Sequence, residues 1–304
     1  MMKNILITGT NRGIGFGIVK HLISNSPNPE LIFAGYRDVN RSQELLDLAK
    51  QHSNIIIPIQ IDVSNDESVN KAKIEVEKKL GNDRGLNCLI NNAGVGKNIK
   101  FNDINEKNMF DAYRHNVLGA WRVTKAFLPL VEKAVTDERN VLQASIINIS
   151  TNLSSMAMAS TQSYFAYDYQ CSKAALNMYT VCHATELAKS NIFIALLHPG
   201  WVRTDLGGRR APLSIDQASK NIIDCITAMK NEHYGKLIDS TNGSKSAAAT
   251  LVFWVKTEMD IDKASLTIDV APKNILKCLQ AITNEYYGKL IDARDGKKLT
   301  VVSF

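Results

Sequence analysis

Short apolar runs alternate with amphipathic segments through the first two thirds of this chain, and no other feature restricts its fold as much. The runs are Asn4–Thr8, Leu31–Tyr36, Ile55–Gln60, Leu86–Asn91, Ser145–Ser150 and Ile192–His198. Helix-period segments lie between them at Gly15–Ser24, Asn40–His52, Ser64–Leu80, Asn105–Ala134 and Tyr169–Lys189. Strands that are apolar nearly throughout, rather than alternating, are buried on both faces. The expected fold is therefore α/β, a doubly wound parallel sheet with helices on either side. Ligands of such sheets sit at the carboxyl ends of the strands. Gly9, Arg37, Asp62, Asn91, Ser150 and Pro199 each stand at or just past a predicted strand end.

The first strand leads into Gly9-Thr10-Asn11-Arg12-Gly13-Ile14-Gly15, a glycine-rich turn and helix start with the spacing G-x-x-x-G-x-G. Such a turn lets backbone N–H groups approach a pyrophosphate, and the positive end of the next helix faces that charge. The second strand ends at Arg37. An acidic residue there suits the ribose hydroxyls of NAD, and a basic one suits the 2′-phosphate of NADP. Arg37 and Arg12 together could clamp a phosphate; Asp38 could instead neutralise Arg37. Asp62-Val63 follows the third strand, where the carboxylate could accept from an adenine amino group or cap the helix near Ser64. Asn91-Asn92-Ala93-Gly94 closes the fourth strand with small residues and turn-holding asparagines.

Tyr169 and Lys173 are four apart and share a helix face. An ammonium beside a phenol favours the phenolate, which makes Tyr169 a candidate general acid or base toward a carbonyl or alcohol. Ser150 and Thr151 place hydroxyls at the fifth strand's end. Asn116 is a polar residue in the middle of a long helix, which calls for a local reason such as a kink that holds a water.

Other classes of function find little support. The net charge of +6 is dispersed and forms no nucleic-acid patch. The longest apolar stretch, 247–255, is too short to cross a membrane. A strand starting at residue 4 leaves no room for a signal peptide, so a cytoplasmic location is expected. The five cysteines (Cys88, Cys171, Cys182, Cys225, Cys278) are scattered and read as reduced, mostly buried thiols. Neither they nor the six histidines have metal-ligand spacing.

In this order the motifs resemble the short-chain dehydrogenase/reductase family over residues 3 to about 243. Thr8–Gly15 is similar to its coenzyme turn, Asn91–Gly94 to its Asn-Asn-Ala-Gly motif, Tyr169 with Lys173 to its catalytic pair, and His198–Asp205 to its Pro-Gly segment. The details at 34–38, 172–177 and 198–208 are most similar to the sniffer-like and C-signalling-factor-like carbonyl reductases. The resemblance implies a Rossmann-type fold, NADP(H) as cofactor, a small carbonyl substrate and a homo-oligomer, either dimer or tetramer. It implies cofactor contacts at Gly9, Asn11, Arg12, Gly13, Ile14, Gly15, Arg37, Asp62, Val63, Asn91, Ala93, Gly94, Tyr169, Lys173, Pro199, Gly200, Val202 and Thr204. Tyr169 would be the acid/base, Lys173 its pKa modulator and a ribose ligand, and Asn116 the anchor of a relay water. Thr151 stands where the family has its catalytic serine, with Ser150 the fallback. Tyr167 would line the substrate. Ser154–Ala159 suggests a small apolar wall, which fits aldehydes, ketones or quinones. The alternative is a non-catalytic NADP(H)-binding regulator of the same fold.

The tail is duplicated. Residues 201–243 align without gaps on 254–296, so that Trp201-Val202-Arg203-Thr204-Asp205 matches Trp254-Val255-Lys256-Thr257-Glu258. The expected organisation is a cofactor-binding domain at 1–243 followed by a repeat of its last helix–strand unit at 244–304. Only the first copy follows His198-Pro199-Gly200, so it is expected to supply Val202 and Thr204. Either helix–strand unit could fill the sheet's last position, and the surplus one could pack outside, mediate dimerisation or be disordered.

Overall fold

Apolar side chains along each run point alternately to opposite faces, so each strand feeds two cores at once. The computed structural model describes residues 2–24, 28–97, 99, 101–159, 165–242, 291–292 and 300–301. In chain order its first half contains β1 (Asn4–Thr8), α1 (Gly13–Ser24), β2 (Leu31–Tyr36), α2 (Gln43–Gln51), β3 (Ile56–Gln60), α3 (Asp66–Leu80), β4 (Cys88–Asn91), α4 (Glu106–Tyr113) and α5 (Gly119–Glu132). The second half contains β5 (Ser145–Ile149), α6 (Met156–Ala159), α7 (Tyr167–Glu186), β6 (Phe193–His198), α8 (Ile215–Ala228) and β7 (Leu237–Asp239), then the two-residue strands β8 (Ile291–Asp292) and β9 (Thr300–Val301).

Two units make up the chain. The larger comprises residues 1–155 and 163–252; the smaller comprises 156–162 and 253–304. In the larger unit seven strands pair in parallel in the order β3-β2-β1-β4-β5-β6-β7. The chain runs outward from β1 to β3, then returns to place β4 beside β1. Strand direction of travel therefore reverses between β1 and β4, and a crevice opens at their carboxyl ends. Ile5 and Ile7 of β1 pack with Ile18, Val19, Ile222 and Ile226 on one face. Leu6 packs with Phe33, Val76, Val123 and Phe127 on the other.

Local chemistry sets the helix ends. Asn65 caps α3 by accepting from the Ser68 N–H at 2.8 Å, and Gly81 ends it at φ +74°. Ser214 and Gln217 form a reciprocal capping box at the start of α8. The predicted helix Asn105–Ala134 is not continuous. It is divided into α4 and α5 by a π-turn at Arg114–Leu118, where the extra residue bulges out.

The last helix and strand of the sheet, α8 and β7, come from the first copy of the duplicated segment. The second copy lies outside the described residues apart from Ile291 and Asp292, which pair antiparallel with Val301 and Thr300. Cys88 is buried, but Cys171 and Cys182 are exposed and Cys225 only partly covered, against the expectation of mostly buried thiols. The two exposed cysteines ride the outer surface of α7, whose inward positions are taken by Ser172, Leu176 and Thr180. Cys278 lies outside the described residues.

Candidate active site

The crevice between β1 and β4 holds a cavity of about 570 Å³. Of the residues expected to touch a cofactor, Gly9, Asn11, Arg12, Gly13, Ile14, Gly15, Arg37, Asp62, Val63, Ala93, Gly94 and Thr204 line it. Gly9 and Gly13 have φ of +70° and +59°, which a side chain would strain. A Cβ on Gly9 would stand 2.9 Å from Ala93 Cα, and one on Gly15 would overlap the Gly9 carbonyl oxygen. The turn is thus built for close backbone approach, and it fits a flat or phosphorylated ligand. Asn92 secures it from the far side: its Nδ2 donates to Thr8 O at 2.8 Å and Gly9 O at 3.1 Å. In return, the N–H groups of Asn92 and Ala93 donate to Thr8 Oγ1 at 3.1 and 3.0 Å.

Asp62 does not cap the helix: α3 begins at Asp66 and its cap is Asn65, while Asp62 holds the turn just before it. Asp62 Oδ1 accepts from both the N–H and the hydroxyl of Ser64, each at 2.8 Å. Burial works to raise its pKa, but these bonds and the charge of Arg37 outweigh burial and hold it below the usual carboxylate range. Asn91 lies behind the cavity rather than in its wall. Its Nδ2 donates to Asn148 Oδ1 at 2.8 Å and Thr124 Oγ1 at 3.0 Å, and Asn148 Nδ2 donates to Thr180 Oγ1 at 2.8 Å. A chain of polar side chains thus crosses the sheet beneath the strand ends.

The groups expected to do chemistry converge beside Gly94. A Cβ there would stand 3.2 Å from Asn116 Oδ1 and 3.6 Å from Lys173 Nζ. Tyr169 stands near the start of α7; the Thr151 side chain favours its charged form, but burial outweighs this and pushes its hydroxyl up to about 12. Lys173 is buried; its Nζ donates to Ile149 O at 2.6 Å and lies 5.9 Å from the Tyr169 ring centre. Burial brings this ammonium down to about 8. The expectation that lysine would draw the phenol toward phenolate is not met here. Desolvation dominates both groups, and Lys173 is spent on a carbonyl. A phenol that keeps its proton through neutral pH is equipped to donate it.

Asn116 sits inside the π-turn, 1% exposed. Its Oδ1 accepts from Val95 N–H at 2.8 Å, and its Nδ2 donates to Val95 O at 2.7 Å and Ser172 Oγ at 2.9 Å. Ser150 is turned away: its hydroxyl donates to Asn177 Oδ1 at 2.6 Å. Pro199, Gly200 and Val202 follow β6, where Gly200 (φ +82°) packs against Leu213 and Thr241.

The sequence pattern that defines the short chain dehydrogenase family matches residues 3–212. This chain belongs to that family. The short-chain dehydrogenase anuI of Penicillium roqueforti is 32% identical over 251 residues, covering 78% of this chain and 94% of its own. NADPH-bound carbonyl reductase from chicken fatty liver superposes with a TM-score of 0.76 at 33% identity, over 83% of this chain and 99% of that one. Carbonyl reductase Sniffer of D. melanogaster gives 0.75 at 34% identity, over 80% and 98%.

This short-chain dehydrogenase differs in detail from the expected site. Arg12 forms an ion pair with Asp205, joining the glycine turn to the loop after β6. Asp38 does not neutralise Arg37. It accepts from Asn40 N–H at 3.0 Å and lies 3.8 Å from Arg41 Nε. Arg37 has no ion-pair partner within 4.0 Å among the described residues, and Arg41, which sequence reasoning passed over, joins it in the cavity wall. Tyr167 packs against Phe101 and Phe165, with ring centres 5.6 and 5.8 Å apart. Among the described residues no group of His, Cys, Asp or Glu is placed to hold a metal, and no helix is long and apolar enough to cross a membrane.

Proposed function

We propose that this chain is an NADPH-dependent carbonyl reductase with Tyr169 as general acid. The observation that carries the reading is a glycine cradle and an arginine without an ion-pair partner in one strand-end crevice, whose wall residue Gly94 lies beside Asn116 and Lys173, with the Tyr169 ring centre 5.9 Å from Lys173 Nζ. The nicotinamide cofactor supplies the hydride. The glycine turn and the α1 N-terminus would hold its pyrophosphate, and Lys173 its ribose. Thr151 and Tyr169 would hold the substrate oxygen, and Tyr169 would pass its proton to the oxygen as negative charge develops. The test is NADPH oxidation against aromatic aldehydes, diketones and quinones, with NADH in parallel. Saturable NADPH binding without turnover on any of them would favour the regulator reading.

Arg37 supports the choice of NADP over NAD, since a guanidinium without an ion-pair partner suits a 2′-phosphate, and Arg41 stands beside it in the cavity wall. A charge-assisted hydrogen bond is worth about 1.5–3 kcal/mol. Arg37→Asp should therefore reduce the NADPH-over-NADH preference in kcat/KM by roughly 10- to 150-fold. An unchanged ratio would remove Arg37 from the phosphate site.

Thr151 is the hydroxyl assigned to catalysis. Thr151→Ala should lower kcat by roughly 10²-fold, the usual loss for one transition-state donor. Ser150→Ala should leave kcat nearly intact and lower stability by about 1 kcal/mol, because its partner is Asn177. The reverse pattern in steady-state kinetics would exchange the two roles.

A further inference from the structure

Three consecutive residues beyond Gly94 are each held to a different part of the site. Val95 is gripped at both its N–H and C=O by the Asn116 amide. Gly96 lies against the Tyr169 side chain, so closely that a Cβ would stand 2.9 Å from Tyr169 Cδ2 and 3.0 Å from its Cβ and Cγ. Lys97 donates its N–H to Asp168 Oδ2 at 3.0 Å. Asp168 immediately precedes Tyr169 on α7 and is 2% exposed. Its Oδ1 has no hydrogen-bond partner among the described residues.

This is an unequal arrangement. A carboxyl group buried with a single donor is expensive. Lys97 is an exposed residue, so water could serve its N–H instead. Satisfying that N–H does not explain the buried acid. What the bond does achieve is to tie the far end of the segment to the residue next to the phenol, while Asn116 ties the near end. Gly96 is thereby pressed onto the Tyr169 ring between two fixed points.

We propose that Asp168 is a positioning residue for Tyr169: by holding Lys97 N–H it keeps Gly96 against the ring and so fixes where the hydroxyl points. The inference rests on the reading of Tyr169 as the acid. Transfer of a proton needs donor and acceptor within hydrogen-bond reach, and small misplacements are expensive in rate.

The test uses the full chain. Asp168→Ala should speed solvent exchange of the Lys97 amide at least tenfold. It should also lower kcat at least tenfold, with KM for NADPH within twofold. Asp168→Asn keeps an oxygen acceptor for the same N–H and should hold both quantities within threefold of wild type. Lys97→Pro removes the donor and should reproduce the kcat loss, and the two losses should not add in the double variant. Unchanged exchange or unchanged kcat in Asp168→Ala overturns the proposal, as does an Asn variant as impaired as the Ala one. Should Asp168→Ala not fold, wild-type kcat in Lys97→Pro overturns it alone. The exchange measurement needs no turnover. Full activity in Tyr169→Phe would therefore sink the acid assignment separately from the clamp.

Discussion

Replacing Tyr169 by phenylalanine should cut carbonyl reduction by about 10²–10⁴-fold, the range for removing a positioned proton donor. The binding constant for NADPH should change little, because the cavity wall is formed by the glycine turn, the strand ends and the loop after β6. The pH dependence follows from the two displaced groups. An acid catalyst works while protonated and fails as pH rises through its pKa. With Tyr169 pushed up to about 12, kcat for reduction should hold steady across neutral pH. Lys173 is charged below its lowered pKa of about 8 and loses the charge above it. NADPH affinity should therefore weaken first, from about pH 8 upward, while kcat holds. Initial rates across pH and NADPH concentration separate the two effects. A kcat that falls together with affinity near pH 8 would contradict this order.

Gly15→Ala should abolish productive cofactor binding. The added methyl would overlap the Gly9 carbonyl and stand 2.6 Å from Asn92 Nδ2, the atom that fastens the turn to β4. The backbone and an amide held by two hydrogen bonds cannot both retreat, so the turn must open. Overpacking of this kind costs about 1–3 kcal/mol in stability. The loss of even one amide donor to a phosphate is worth about 1.5–3 kcal/mol, or roughly 10- to 150-fold in NADPH affinity. Titration by nicotinamide fluorescence and thermal melting measure the two terms. Wild-type affinity in this variant would show that the cofactor does not rest on the turn.

Much of this arrangement was legible in the linear chain, because it depends on local chemistry. Runs such as Leu31–Tyr36 and Phe193–His198 announce themselves through β-branched and aromatic residues buried on both faces. Gly9 and Gly13 follow from backbone angles that other residues avoid. Pairings between distant segments left no such mark. Nothing near Arg12 points to Asp205, and nothing in Tyr167-Asp168-Tyr169 points to the Lys97 amide. The π-turn at Arg114–Leu118 was signalled only by Asn116, whose polar side chain in mid-helix called for a kink; its other residues are compatible with an ordinary helix. Only the need to bring Asn116 to Val95 distinguishes it. The duplicated tail offered two candidates for the last helix. In the first copy, Ser219 lies at the close contact with Gly17 of α1. The second has Pro272 at the matching position, where a helix interior would lose an N–H and meet a clash.

The polar chain from Asn91 through Asn148 to Thr180 bears on how the sheet assembles. Asn91 and Asn148 are direct register partners on β4 and β5. Sliding β5 by one residue would turn Asn148 to the opposite face and strand two amides in an apolar layer, each at about 1–3 kcal/mol. Apolar neighbours such as Ile146 and Ile147 offer little discrimination of their own, since either could fill the other's place. The asparagines therefore act as a gauge of correct alignment. A slipped register would carry Thr151, at the end of that strand, to the wrong height relative to Tyr169, and the cost of the two displaced amides disfavours it.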